Sequence, residues 1–198
     1  MVIFFTLAPF GAFSLLLMVN TSAMAAFAAA ILAAGLVMFD LIRKRPVKIL
    51  ASGTLLMFGG MSATLAVSGN DWSDSTLRMA VDGGLLAIAL FSLAIRLPFT
   101  IQYAREAVDA ETAALPGFVQ ANYVLTWMWA AAFILMLAAN LTVIYMPTFP
   151  LWTALVAVFA VRSAAIYFTR WYAQHRTDAG TRAHAKNTAT AGLLANAP

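Results

Sequence analysis

The chain has 198 residues, of which 63% are apolar and 10% charged, and it carries a formal net charge of +4. Soluble domains contain about 45–50% apolar and about 25% charged residues, so this composition excludes an ordinary water-soluble globule. It also excludes disorder over most of the length, because disordered chains are rich in charge and poor in apolar residues. We therefore predict an all-α fold, a polytopic bundle of transmembrane helices.

Six apolar segments predict six membrane spans, since a helix needs about 20 such residues to cross the hydrocarbon. They cover residues 1–19, 23–39, 49–67, 78–95, 122–146 and 151–168. Pro9 interrupts the first segment, so five spans, with the first fused or re-entrant, are the alternative. We predict a transmembrane domain over residues 1–172 and a polar cytoplasmic tail over residues 173–198, disordered beyond about Arg176.

The basic residues of the connections fall on one side of this arrangement. They follow span two, follow span four or lie in the tail, and the other three connections hold at most Arg78 at a helix boundary. Because short basic connections stay in the cytoplasm, both termini are predicted to be cytoplasmic. The connection after span two holds Arg43, Lys44, Arg45 and Lys48. These four cations either only fix the topology or also bind anionic lipid headgroups.

The connection after span four has the pattern of an amphipathic helix lying in the cytoplasmic interface, over residues 98–115. Phe99 and Tyr103 would be its anchors, and Arg105 and Asp109 are spaced i, i+4 on it. Its acidic residues weaken attraction to lipid, so a docking face for a cytoplasmic partner is as good an interpretation as a membrane anchor.

Two ionisable residues, Asp82 and Arg162, fall inside the predicted spans, and Asn140 lies at about the depth of Asp82 in another span. An ionisable residue in a span is a functional hypothesis by default, because its insertion costs about 2.5–3.5 kcal/mol at the bilayer centre. The alternative is structural, an interhelical cluster of hydrogen bonds worth about 0.6 kcal/mol each.

Small residues four apart predict close packing of spans three and four. The pairs are Gly59 with Ala63 and Ala80 with Gly84. Such spacing lets helix backbones approach closely, either within one chain or in a homo-oligomer.

Little in the chain points to catalysis. It has no cysteine, which excludes disulfides, thiolate metal sites and thiol nucleophiles. His175 and His184 both lie in the polar tail, so no buried imidazole is expected as a haem ligand or proton relay. With no paired carboxylates in the spans either, we expect no enzyme, no cofactor and no metal.

Several short motifs carry a resemblance. They are LAPFGAFSLL near the start, the basic turn before span three, PFTIQYARE after span four, and a run with Asn122, Tyr123, Trp127 and Trp129. Over roughly residues 5–172 the chain resembles the intracellular septation protein A family of small bacterial inner-membrane proteins. The resemblance implies a protein of the bacterial cytoplasmic membrane, linked to cell division and envelope synthesis through protein contacts. It implies no catalytic residues.

Three functional hypotheses follow. The first is a non-enzymatic inner-membrane protein that supports the cell-envelope or division machinery. The second is a small transporter or channel with a polar intramembrane site, and the third is an accessory subunit of a larger membrane complex. The partners expected are the lipid bilayer, other membrane proteins and a second copy of the chain, and no nucleic acid.

Overall fold

A computed structural model of the chain describes residues 2–17, 21–69, 72–146, 148 and 150–195. Within these residues the structure consists of eight helices and no strand, so the predicted all-α fold is confirmed. The helices are α1 (Val2–Leu16), α2 (Ser22–Ile42), α3 (Ile49–Ser68), α4 (Asp74–Ala94), α5 (Phe99–Ala104), α6 (Ala110–Ala114), α7 (Pro116–Tyr145) and α8 (Leu151–Ala195).

Five of these helices are long and apolar enough to cross a membrane. The candidate spans are Ser22–Ile42, Ile49–Ser68, Thr76–Ala94, Pro116–Tyr145 and Trp152–Arg176. The chain is therefore a multi-pass membrane protein. Helix α1 has 15 residues, about 22 Å at the helical rise, against about 30 Å of hydrocarbon. A sixth span formed by α1 stays a prediction.

The long helices pack mainly against their neighbours in the sequence, and the most extensive interface joins α2 and α3. An alanine face on α2 makes this possible, because alanine lets two backbones approach without a bulky side chain between them. One buried cluster, with Phe13 and Phe58 in ring contact, joins the first four helices. A second, around Phe133 and Met136, joins α4 and α7.

The close contacts between α3 and α4 occur at Gly53 and Gly84. A Cβ atom on Gly53 would lie 2.6 Å from Cγ1 of Ile88, and one on Gly84 would overlap Met57. A Cβ atom on Gly59 would meet nothing within 4 Å. The prediction of close packing therefore holds at Gly84 and was wrong at Gly59, because residue spacing alone does not say which side of α3 faces α4.

Two short helices, α5 and α6, replace the single amphipathic helix predicted over residues 98–115. The side chain of Asp109 accepts a hydrogen bond from the backbone N–H of Thr112 (2.7 Å) and so begins a new helix. Arg105 ends α5, so Arg105 and Asp109 do not share a helix. Phe99 is buried rather than inserted as an anchor in the interface, and it packs in the cluster around Phe133.

Helix α8 continues to Ala195, through the segment for which the composition predicts disorder. This segment is rich in alanine, the strongest helix former, and contains no proline before Pro198. The division of the chain at residue 172 stays a prediction.

Candidate functional site

A buried ion cluster lies at the end of the bundle where α2 ends and α3 begins. Nζ of Lys48 is 3.1 Å from both carboxylate oxygens of Asp40 and 2.9 Å from Oε1 of Glu106. Lys48 and Asp40 are only 7% and 5% exposed. The Lys48 ammonium also lies 5.6 Å from the centre of the Tyr103 ring. One cation thus joins α2, the start of α3 and the connection after α4.

Two similar turns build this end of the bundle. Residues 39–49 and 91–101 share the pattern Phe-x-Leu-x-x-(Lys/Arg)-x-Pro-x-x-Ile. In each turn the basic residue, Lys44 or Arg96, adopts a left-handed conformation with φ of 53° or 58°. The amides of Arg45 and Leu97 then bond back to the carbonyls of Asp40 and Ser92, both at 2.9 Å. This is a Schellman ending, and the proline after it prevents the helix from continuing.

Side-chain hydrogen bonds hold the two turns in place, and one of them joins the turns to each other. The backbone N–H of Ile49, at the start of α3, donates to Oε1 of Gln102 (2.7 Å). The backbone N–H of Phe99 donates to Oγ of Ser92 (3.2 Å), and the Tyr123 hydroxyl donates to the Arg96 carbonyl (2.9 Å). These bonds satisfy backbone groups that a helix end leaves without partners.

A cavity of about 610 Å³ opens between the two turns. Its polar lining comes from Arg45, Lys48, Gln102, Arg105 and Glu106, and its apolar lining comes from Pro46 and Leu97. Arg45 and Arg105 are exposed. The salt bridges formed within the described chain involve Lys48 with Asp40 and Glu106, and neither arginine takes part.

The three basic segments lie at the same end of the bundle. The ion pair of Lys48 with Glu106 joins the connection after α2 to the connection after α4. The third basic segment belongs to α8, where Nη2 of Arg176 donates to the Gly117 carbonyl (3.0 Å) at the start of α7. This arrangement holds whether or not α1 crosses the bilayer, because α2, α3, α4, α7 and α8 alternate in direction.

Of the three polar residues predicted inside the spans, the structure brings two into contact. Nδ2 of Asn140 donates to Oδ2 of Asp82 (2.8 Å), and both residues are buried. The Arg162 side chain is exposed, and although its charge acts on Asp82, the ion pairs of the described residues do not include it. No group of three His, Asp or Glu among the described residues could hold a metal ion.

Asp109 has a local structural role. The Thr112 N–H that it accepts lowers the pKa of the Asp109 carboxyl below its ordinary value of 3.8. A lowered pKa means that the charged form favours the folded state, so this cap is in place above pH 3.8 and is lost as the pH falls through the lower value.

Sequence reasoning missed three residues of the site: Asp40, Gln102 and Glu106. The sequence does contain one indication of this pair. Asp40 is the single acidic residue of α2, and it lies just before the basic connection that contains Lys48. The pairing of Lys48 with Glu106, which lies in the connection after α4, could not be predicted without the fold.

The chain was compared with protein-family models, with curated proteins and with solved structures, and none of the three comparisons gives a match.

Proposed function

We propose that this chain is a non-enzymatic, multi-pass protein of the bacterial cytoplasmic membrane that acts by lateral contact with other membrane proteins. In this proposal both termini are cytoplasmic, and the basic end of the bundle faces the cytoplasm as the distribution of Lys and Arg favours. The observation that carries the proposal is an exposed arginine in the span of α8.

Helix α8 is the least enclosed of the five candidate spans. Only 11% of its apolar window is buried, against 22–33% in the others, and its main neighbour is α7. Leu155, Phe159, Arg162 and Ile166 are all exposed and recur at the spacing of one helical face. Apolar members of that face are suited to lipid, but Arg162 is not.

A guanidinium facing lipid at this depth is unfavourable. Arg162 lies 11 residues from the start of α8, about 16 Å along the helix. Ionisable residues in spans nearly always face protein or water and pair with another group. The charge of Asp82 acts on Arg162, but the ion pairs of the described residues do not include Arg162. A neighbouring protein that covers this face and offers an acceptor to Arg162 lowers the remaining cost, which favours an assembled over an isolated state.

The test uses photocrosslinking in native membranes. A photoreactive amino acid at Phe159, which is 74% exposed on α8, should crosslink to a protein, and Arg162→Leu should abolish that product. The matched control carries the same group at Phe91, an exposed aromatic on α4, and should give lipid adducts only. Lipid adducts alone from both positions would contradict the proposal. Two differently tagged copies show whether the product is a homo-oligomer.

The link to envelope or division machinery rests on the resemblance to the septation protein A family and on the membrane location. The same lateral contact would serve an accessory subunit of a larger complex. Identification of the Phe159 crosslink partner by mass spectrometry separates these cases: a division or envelope-synthesis protein supports the first, and a subunit of another complex supports the second.

A second candidate, a small transporter or channel, is favoured by one observation: Asp82 and Asn140 form a buried polar pair inside two adjacent spans. Proteoliposome flux should then fall when Asp82 or Arg162 becomes Ala. Flux that is absent from the wild type, or unchanged in these variants, eliminates this candidate.

A further inference from the structure

We propose that the cavity between the two turns is a binding site for a phosphate group, carried either by a phospholipid headgroup or by a soluble phosphate ester. Arg45 and Arg105 would hold the phosphate oxygens. The proposal concerns the basic end of the bundle and is independent of the contact through α8.

The charges around the cavity favour an anion. Lys48 is already neutralised by Asp40 and Glu106, with both ion pairs at 3.1 Å or less. Lys48 with its two carboxylates carries one negative charge, and Arg45 and Arg105 at the cavity wall carry two positive charges. The group as a whole therefore keeps one positive charge. Arginine presents a planar set of N–H donors that fits phosphate in a bidentate manner.

A further donor is available in the same wall. Gln102 uses its side-chain oxygen to accept from the Ile49 amide (2.7 Å), which fixes the side chain and leaves its amide nitrogen to donate. Glu106 lines the cavity as well, but its carboxylate is held on Lys48. The one acidic side chain of the wall is thus partly compensated and does not cancel the attraction for an anion.

The size and level of the cavity fit a phosphate-bearing group. Sites for small ligands have volumes of about 300–1,000 Å³, and this one has about 610 Å³. It lies where α2 and α4 end, and the last apolar side chains there, Ile42 and Ile95, are exposed. A phospholipid whose chains lie along these side chains would place its headgroup at the level of Pro46 and Leu97.

The experiment measures binding of phosphatidylglycerol to the purified full-length chain in detergent by native mass spectrometry. Diacylglycerol with the same acyl chains is the control lipid without phosphate. The variant R45Q/R105Q removes the two proposed ligands, and R43Q/K44N removes two charges from the same basic connection outside the cavity lining. All four side chains are exposed, so both variants should fold, and circular dichroism checks this.

The wild type should prefer phosphatidylglycerol to diacylglycerol, and R45Q/R105Q should bind it about 30-fold more weakly, the change expected for two such cations. R43Q/K44N should stay within about threefold, since these two side chains do not line the cavity and an exposed charge beside it contributes at most about 1 kcal/mol. Displacement of the lipid by inorganic phosphate would assign the site to a soluble ester, and lipid binding that withstands phosphate would assign it to a headgroup. Equal losses in the two variants, or equal binding of diacylglycerol, would overturn the proposal.

Discussion

The ion cluster around Lys48 should dominate the stability of the basic end of the bundle. Replacing Asp40 by Leu keeps the branching of the side chain but leaves a buried ammonium with Glu106 as its remaining carboxylate. Breaking a buried ion pair typically costs about 3–5 kcal/mol. Because Glu106 still contacts Lys48, we expect the lower figure, about 3 kcal/mol. For a chain of this size that corresponds to a fall of about 6–12 °C in the melting temperature.

The assay is thermal unfolding in detergent, followed by circular dichroism, on D40L, K48M and the double variant. D40L/K48M removes both buried charges and leaves only the exposed Glu106 without its cation, so it should recover to within about 1 kcal/mol of the wild type. The control D109N changes an exposed acid at the same end, and Asn is an equally good helix cap, so little change is expected. If D40L is neutral, or if the double variant is as unstable as D40L, the charge argument is refuted.

Three further variants test other parts of the fold by the same unfolding assay. Gly53→Ala should destabilise by about 1–3 kcal/mol, because the added Cβ atom overpacks the contact with α4. Gly59→Ala, where the added Cβ atom meets nothing within 4 Å, should stabilise by about 0.5–1 kcal/mol. Equal effects of the two variants would contradict the α3–α4 contact. Lys44→Gly should stabilise by about 0.5–1 kcal/mol by relieving the positive φ, and a loss would disprove that conformation. Asn140→Leu should cost about 1–3 kcal/mol because it leaves the buried carboxylate of Asp82 without its donor, and a neutral result would argue against that hydrogen bond.

Composition alone was enough to predict the fold class, because a chain this apolar and this poor in charge has few alternatives to membrane helices. The positions of the spans followed from the length of each apolar segment. The rotation of each helix did not, because all faces of a membrane helix are apolar and periodicity has little contrast. The sequence therefore did not show that Gly53, rather than Gly59, makes the close contact with α4.

The connections were the least predictable part. The amphipathic pattern around Tyr103 predicted a single helix. Asp109 caps the start of a second helix and so divides the segment in two. The pairing of Lys48 with Glu106 depends on contact between two connections that are distant in the chain. In contrast, the contact between Asp82 and Asn140 could be predicted from their depth alone. Each lies within a few turns of the end of its helix that is opposite the basic connections.

The claim on which the account depends is that the three basic segments lie on one side of the membrane. The chain has no cysteine, so single cysteines introduced at Arg43, Val108 and Thr148 can be labelled separately with a membrane-impermeant maleimide in intact and in opened spheroplasts. Residues 43 and 108 should react only after opening, and residue 148 should react in intact spheroplasts. Labelling of residues 43 and 108 from opposite sides would contradict the fold.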